Sequence, residues 1–477
     1  MDPLLEHTGA AVLPPELMDQ MRRGGQLLRA ESAGKRLRRI RRLREAIKIH
    51  KDLLYEAFAE DLGKSRESVD LSEVLPVALE IDHALKHARS WVRGRRVAGP
   101  LPFQGTRCEI TVEPKGVALI ISAWNYPFVL TIGPLVSAIC AGCSVVIKPS
   151  EFAPNVATVI RTIVESCFAP DEVRVIEGDE DVSRGLVSLP FGHIYFTGST
   201  RVGKAVMKAA SDNLTSVTLE LGGKSPTIVD ETADVQRAAE RIAFGKFSNA
   251  GQTCMAPDHL YVHQSQYDAL LKALDGHLTR MYGDGEPGSD YGQIVTDRHH
   301  ARLAAMSADA VAGGGRIIRG GSADATRRYI EPTIIADGPP DSALMTEEIF
   351  GPLLPVMPFT DIGDVLEEIA ARPTPLAVYM FSNQESAIQR VIDQTRSGSV
   401  VVNDTIIQFA NPFLPFGGAG DSGMGRGHGY WGFLEFSTIR TVLRQRRRFA
   451  LVPLFYPPYT GLKKRGIRML MRRYKIG

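Results

Sequence analysis

The chain has 477 residues, of which 44% are hydrophobic, 23% charged and 7% aromatic, an ordinary composition for a globular protein. Its length suggests two or three domains and allows a large core without disulfide staples. The net charge is only +2 and the five cysteines are odd in number and irregularly spaced, so neither a generally basic protein nor a disulfide framework is implied, and a reducing cytoplasmic setting fits them best.

The first residues, MDPLLEHTGA, carry acids and lack a basic segment followed by an apolar run, so no signal peptide is expected. The first ninety residues read as helical. From Arg36 to Phe58, Leu37, Ile40, Leu43, Ile47, Leu53 and Leu54 recur at helical spacing. The arginine-rich face of this stretch reads as a solvated surface, because no nucleic-acid recognition motif accompanies it; no nucleic-acid partner is expected.

No charged residue occurs from Val117 to Ile147, a run long enough to span a bilayer. Asn125-Tyr126-Pro127, Gly133-Pro134 and Gly142 interrupt it, which predicts strand, loop, helix and strand in a buried αβ unit. From Glu113 onward short apolar strands (GVALIISAW, SVVIKPS, RVIEGD, HIYFTGS, SVTLELGG, PTIVD) alternate with helices such as Pro154 to Cys167 and Val202 to Ala210. That alternation predicts a parallel sheet covered on both faces, with its ligand site at the carboxyl ends of the strands.

A second αβ portion follows, with strands near HLYVH, RYIEPTII, LPVMPF, AVYMFS and SVVVND. It closes on the glycine-rich Phe416 to Gly429, which cannot be regular structure throughout. After Glu435 there are twelve lysines and arginines and no acid, which leaves about −10 for the rest of the chain and marks the tail as an interacting segment.

Cys254, in Gly251-Gln252-Thr253-Cys254, has small neighbours, and a helix end or a nearby cation would favour its thiolate. Glu220 ends an apolar strand, where desolvation would raise its pKa and suit it to general-base work. Asn125 is a neutral amide at a strand end, able to donate to an oxyanion. Each has a plainer alternative: a structural cysteine, a salt bridge to Lys224 and a turn cap. Gly198-Ser199-Thr200-Arg201-Val202-Gly203 is a strand–turn–helix junction whose free N–H groups could hold a pyrophosphate, although G-x-G-x-x-G is absent. Lys148 and Glu151 end another strand and could meet ribose or phosphate. Cys140 and Cys143 read as core, and no metal site is expected.

In order along the chain, WNYPF at Trp124, IKPSE at Ile147, FTGSTRVGK at Phe196, LELGGKSP at Leu219, GQTCMAPD at Gly251, EEIFGP at Glu347 and LPFGGAGDSGMG at Leu414 together resemble the aldehyde dehydrogenase superfamily. The WNYP tyrosine and the SGMG ending resemble its class 3 branch of fatty and aromatic aldehyde dehydrogenases.

The resemblance implies an α/β, aldehyde dehydrogenase-like fold. Its parts would be a five-stranded Rossmann-type cofactor domain (1–95 and 115–220), an αβ catalytic domain (221–429), a small β bridging and oligomerisation element (96–114 and 430–445) and a basic amphipathic tail (446–477). It also implies NAD(P)-dependent oxidation of medium or long aliphatic, or aromatic, aldehydes to carboxylic acids. Cys254 would carry the thiohemiacetal and thioester, Glu220 would activate the hydrolytic water, and Asn125 with the Cys254 N–H would hold the oxyanion. Lys148 and Glu151 fall to the adenosine ribose, Gly198, Ser199 and Gly203 to the pyrophosphate turn, and Glu348 with Phe350 to the nicotinamide ribose.

NAD is the expected cofactor, with NADP as the alternative, since Glu151 would repel a 2′-phosphate. A homodimer is implied. Glu220 argues against a branch that releases its thioester to coenzyme A, and the presence of both cysteine and base argues against a non-catalytic relative. In the tail, Ile467, Leu470, Met471 and Tyr474 share one helical face and Arg468, Arg472 and Lys475 the other. Such a helix suits an anionic membrane surface, or alternatively packs across the dimer, so the location is read as cytoplasmic with a membrane-peripheral option.

Overall fold

The computed structural model describes residues 16–283, 288, 290–445 and 451–476. Two largely parallel sheets dominate it. The first runs in the order Ser216–Glu220, His193–Thr197, Val117–Ile121, Ser144–Lys148, Val173–Val175, all parallel. The chain works outward from the central strand in one direction, then returns to its other side. That reversal lies between Val117–Ile121 and His193–Thr197 and opens a crevice at their carboxyl ends.

The three central strands are buried at every position, as near-continuous apolar parallel strands must be. Alternate residues feed opposite cores. Ala118 and Ile120 pack with Ala33–Ile49, Leu75–Trp91, Val129–Ala141 and Pro154–Cys167. Val117, Leu119 and Ile121 pack with Leu17–Ala30, Glu180–Val187 and Thr200–Ser211.

The second sheet is ordered Arg316–Arg319, Thr333–Ala336, Leu353–Phe359, His259–His263, Pro226–Val229, Ala377–Phe381, Ser399–Val402, and only its first pair is antiparallel. A third, antiparallel sheet joins Arg95–Val97, Thr106–Pro114 and Ser437–Gln445, with register running from Ser437 opposite Pro114 to Gln445 opposite Thr106.

Four details differ from the sequence expectation. The first sheet has six strands, because Gly423–Met424 of the glycine-rich segment pairs antiparallel with Leu219 and Glu220. The long helix predicted from Arg36 breaks at His50 into Ala33–Ile49 and Lys51–Leu62, which leaves Leu53 on the outside and Leu54 in the core. In the charge-free run, Asn125-Tyr126-Pro127 and Gly142 end elements as expected, but Val129–Ala141 continues through Gly133-Pro134. There the burial of nearly every side chain offsets the one lost backbone hydrogen bond. A π-helical turn, Asp70–Val74, leads into Leu75–Trp91 and was not foreseen. No helix among the described residues is long and apolar enough to cross a membrane.

Candidate active site

Cys254 stands on a loop held from both sides. Helix Val235–Phe247 ends in three successive left-handed residues, Asn249, Ala250 and Gly251. A Cβ at Gly251 would lie 2.3 Å from the Gly351 carbonyl oxygen, so only glycine fits that close approach. The buried Gln252 amide then pins the loop: it donates to the Asn249 and Gln293 carbonyls (3.0 and 2.9 Å) and accepts the Val295 N–H (3.0 Å). The thiol packs against a small apolar cluster that includes Leu376, Phe409 and Phe416.

Asn125 reaches the same loop. Its Nδ2 donates to the Gln252 carbonyl at 3.0 Å, and the amide is buried. Its own carbonyl accepts from Asn249 Nδ2 (3.1 Å) and from Lys64 Nζ (3.0 Å). Tyr126 Oη and Thr253 Oγ1 lie 2.7 Å apart, a second tie between the two loops. Lys64 is ion-paired with Glu73 on the π turn, and Glu73 also accepts the Val129 N–H at 2.9 Å. Lys64, Glu73 and Gln252 escaped the sequence reading. Glu73 carried one signal, an acid inside a helical stretch, whereas Lys64 and Gln252 stand in loops and carried none.

Glu220 faces the same pocket as Cys254. Tyr195 Oη donates to its Oε1 at 3.4 Å, and Oε2 has no partner among the described residues. Burial holds its pKa well above the ordinary carboxylate range, with Arg426 opposing the shift. The salt bridge to Lys224 considered as an alternative does not form, since Lys224 pairs with Asp258. The expectation that a helix end or cation lowers the Cys254 pKa is not met. Burial first, then the Glu348 and Glu220 carboxyls, push the thiol up to about 12.

The remaining candidates gather at strand and helix ends. Ser199 caps Thr200–Ser211 by accepting the Val202 N–H at 3.4 Å, beside Gly198 at the end of His193–Thr197. Gly203 lies against Leu221. Buried Lys148 pairs with Glu151 at 2.6 Å. Glu348 accepts the Gly223 N–H at 3.0 Å, and a Cβ on Gly222 would collide with its carboxyl. Burial raises the Glu348 pKa to about 7. Phe350, at φ 47°, meets Trp124 edge-on at 5.4 Å, next to Asn125. A dinucleotide suits this ground: the buried Thr197 hydroxyl and Glu220 Oε2 lack partners among the described residues, and the Thr200–Ser211 helix begins at the carboxyl end of His193–Thr197, on the crevice side of the sheet. Cys140 and Cys143 are buried in the core, and burial raises both their pKa values.

A thiol and a desolvated carboxyl sharing one pocket, over parallel strands with a glycine turn at a helix N-terminus, define a cysteine-dependent α/β oxidoreductase. The chain belongs to the aldehyde dehydrogenase family, matching it over residues 15–442, and its reaction is the NAD(P)-dependent oxidation of aldehydes. It is 43% identical over 427 residues to 4,4'-diaponeurosporen-aldehyde dehydrogenase of Staphylococcus aureus, covering 89% of this chain and 92% of that one. Class 3 relatives include human aldehyde dehydrogenase family 3 member B1, 42% identical (88% and 89% covered), and the rat dimeric NADP-preferring enzyme, 40% identical (86% and 89%). A solved Staphylococcus aureus AldH in its substrate-bound state superposes with a TM-score of 0.92 at 41% identity, covering 96% of this chain and 99% of that one.

Proposed function

We propose that Cys254 is the nucleophile, Glu220 the hydrolytic base and Asn125 the oxyanion donor of this reaction. The observation that carries the reading is the shared pocket of the Cys254 thiol and the Glu220 carboxyl, whose Oε2 is buried without a partner among the described residues. Cys254 Sγ, its proton lost to water, bonds to the aldehyde carbon as the carbonyl π pair moves onto oxygen. The oxygen that becomes negative is met by Asn125 Nδ2 and the Cys254 N–H. Gln252 fixes the plane of the Asn125 amide through its carbonyl, leaving one N–H of Nδ2 for the oxyanion. Bound NAD(P) supplies the hydride acceptor and a positively charged ring. Glu220 then takes a proton from water attacking the Cys254 thioester, which releases the carboxylic acid and restores the thiol.

Lys148 and Glu151 would hold the adenosine ribose, Gly198, Ser199 and Gly203 the pyrophosphate turn, and Glu348 and Phe350 the nicotinamide ribose. Residues 1–95 and 115–220 form the cofactor domain in this reading, 221–429 the catalytic domain, and 96–114 with 430–445 the bridging element. Exposed Ile439 and Leu443 on the edge sheet, together with the dimeric description of the rat relative, support a homodimer formed there. The largely apolar pocket wall and the relative named for a diaponeurosporen aldehyde support long aliphatic or aromatic substrates.

The tail supports attachment to an anionic membrane surface. Helix Gly461–Arg473 buries no residue, and Leu462, Met469 and Ile476 are exposed among its basic side chains. Residues 446–450 and 477 of the tail lie outside the described residues.

The test is NADH and NADPH formation over a panel of aldehydes, for the wild type and Cys254→Ala. Turnover that survives in the variant would remove Cys254 from the reaction.

A further inference from the structure

His428 lies in the pocket of Cys254 and Glu220 and has no part in the chemistry described above. Its Nδ1 is 2.6 Å from Glu80 Oε1. Glu80 is buried and accepts the Gly429 N–H as well, at 3.0 and 3.2 Å, so it acts as an acceptor and Nδ1 must be the donor. In the neutral imidazole this leaves Nε2 as a bare acceptor, and no hydrogen bond is made to it among the described residues. The backbone reinforces the point. His428 has φ 68°, a conformation that favours glycine, and is followed by Gly429 at φ 48°. Strain of this kind persists where the side chain is required.

The surroundings show what that acceptor faces. Phe409 and Phe416 meet the imidazole edge-on, with ring centroids 4.9 and 5.4 Å away, and also belong to the cluster around Cys254. The imidazole and the thiol therefore border the same aromatic cluster. The pocket wall is mostly apolar, with Val129, Leu130, Pro134 and Phe436, although Tyr195 and Ser137 also line it. A passage for purely hydrocarbon aldehydes would need no oriented imidazole there, and phenylalanine would fill the space.

We propose that His428 is a specificity-determining residue whose Nε2 accepts a hydrogen bond from a hydroxyl on the substrate, so that the site prefers aromatic aldehydes bearing a ring hydroxyl. Phe409 and Phe416 pack edge to face on each other, with ring centroids 5.0 Å apart, so a flat substrate ring would lie against this pair on the pocket side, its carbonyl toward Cys254 and its hydroxyl toward His428. Glu80 is a positioning residue, acting by fixing the tautomer and the ring plane. The proposal rests on the reading of Cys254 as nucleophile.

The test compares kcat/KM for 3-hydroxybenzaldehyde, 3-methoxybenzaldehyde and benzaldehyde in wild type, His428→Phe and Glu80→Gln, at a pH where the phenol is neutral. The methoxy compound has the same oxygen and no proton to donate. The wild type is expected to favour the hydroxy over the methoxy aldehyde at least tenfold, and His428→Phe to reduce that ratio at least fivefold. Glu80→Gln is expected to reduce it less. A wild-type ratio near one, or a ratio unchanged in His428→Phe, would overturn the proposal. Turnover of benzaldehyde alongside either result would leave the Cys254 reading standing; no turnover of any of the three would overturn the proposal alone if a long aliphatic aldehyde is still oxidised, and a Cys254→Ala variant that still oxidised that aldehyde would overturn the Cys254 reading. Should the variants fail to fold, 3-hydroxybenzyl and 3-methoxybenzyl alcohol compete as inhibitors of the wild type. Equal inhibition constants there would also overturn the proposal.

Discussion

Lys64 and Glu73 form an ion pair 3.0 Å long from which solvent is almost wholly excluded, and the same ammonium donates to the Asn125 carbonyl. The loop that carries Asn125 is thus tied to a charge pair whose acid lies on a π turn nine residues on from the lysine. Burial pushes the Lys64 pKa down and the Glu73 pKa up, while each partner's charge opposes the other's shift. Lys64→Met would leave the carboxylate buried alone and is expected to cost about 3–5 kcal/mol of stability. Denaturant unfolding reads this directly, and Lys64→Met combined with Glu73→Gln should recover a large part of the loss. A single variant as stable as the wild type would show that the pair does not hold the loop.

Asn125→Ala is expected to keep the fold and lower kcat by roughly two to three orders of magnitude, the usual effect of removing one oxyanion donor. Circular dichroism and steady-state rates separate the two effects. A rate within a factor of two of wild type would remove Asn125 from the mechanism.

Because burial and two neighbouring carboxyls push the Cys254 thiol up to about 12, its alkylation in the cofactor-free protein should be slow at neutral pH. The rate should climb about tenfold per pH unit on the alkaline side, as the thiolate fraction does. Peptide-level mass spectrometry after iodoacetamide treatment resolves Cys254 from the other four cysteines. Glu348→Gln, which removes the first-named of those carboxyls, should accelerate labelling; a slower reaction would contradict the electrostatic account.

Glu220→Gln should stop deacylation and leave an acyl group on Cys254, visible as added mass after one turnover, with a rate loss of about 10²–10⁴. In the wild type the base acts only when ionised, so deacylation should rise with pH through its elevated pKa, and the variant should lack that rise. Stability moves in the opposite sense. The folded chain binds this proton more tightly than the unfolded chain, so a penalty absent at low pH grows from the ordinary carboxyl range upward. Glu220→Gln should therefore be the more stable protein at neutral pH.

Removal of residues 461–477 should abolish cosedimentation with anionic vesicles and leave turnover of short, soluble aldehydes intact. Binding by the full chain should weaken as salt is added, because screening reduces the pull of the basic face. Equal sedimentation of both forms would instead leave the helix to pack within the dimer.

Much of this molecule was legible in the chain itself. Strands such as Val117–Ile121 and Ser144–Lys148 are short apolar runs closed by polar or breaker residues, so their existence and parallel pairing follow from local pattern. Glu220 and Asn125 could be singled out at strand ends and Cys254 in a loop with small neighbours, while their roles came from the motif resemblance. What no local pattern contains is the meeting of distant segments. Lys64 reads as one more surface lysine until Glu73, Asn125 and Tyr126 close around it. Glu80 and His428 are 348 residues apart and acquire a common purpose only when helix Leu75–Trp91 packs beside the glycine-rich segment. From sequence the Cys254 thiol could ionise if a helix end or a cation stood near it, yet in the fold burial and the Glu348 and Glu220 carboxyls oppose its ionisation. Desolvation and charge proximity depend on three-dimensional neighbours, so the sequence determined which groups are present and the tertiary structure decided how each one ionises and what it faces.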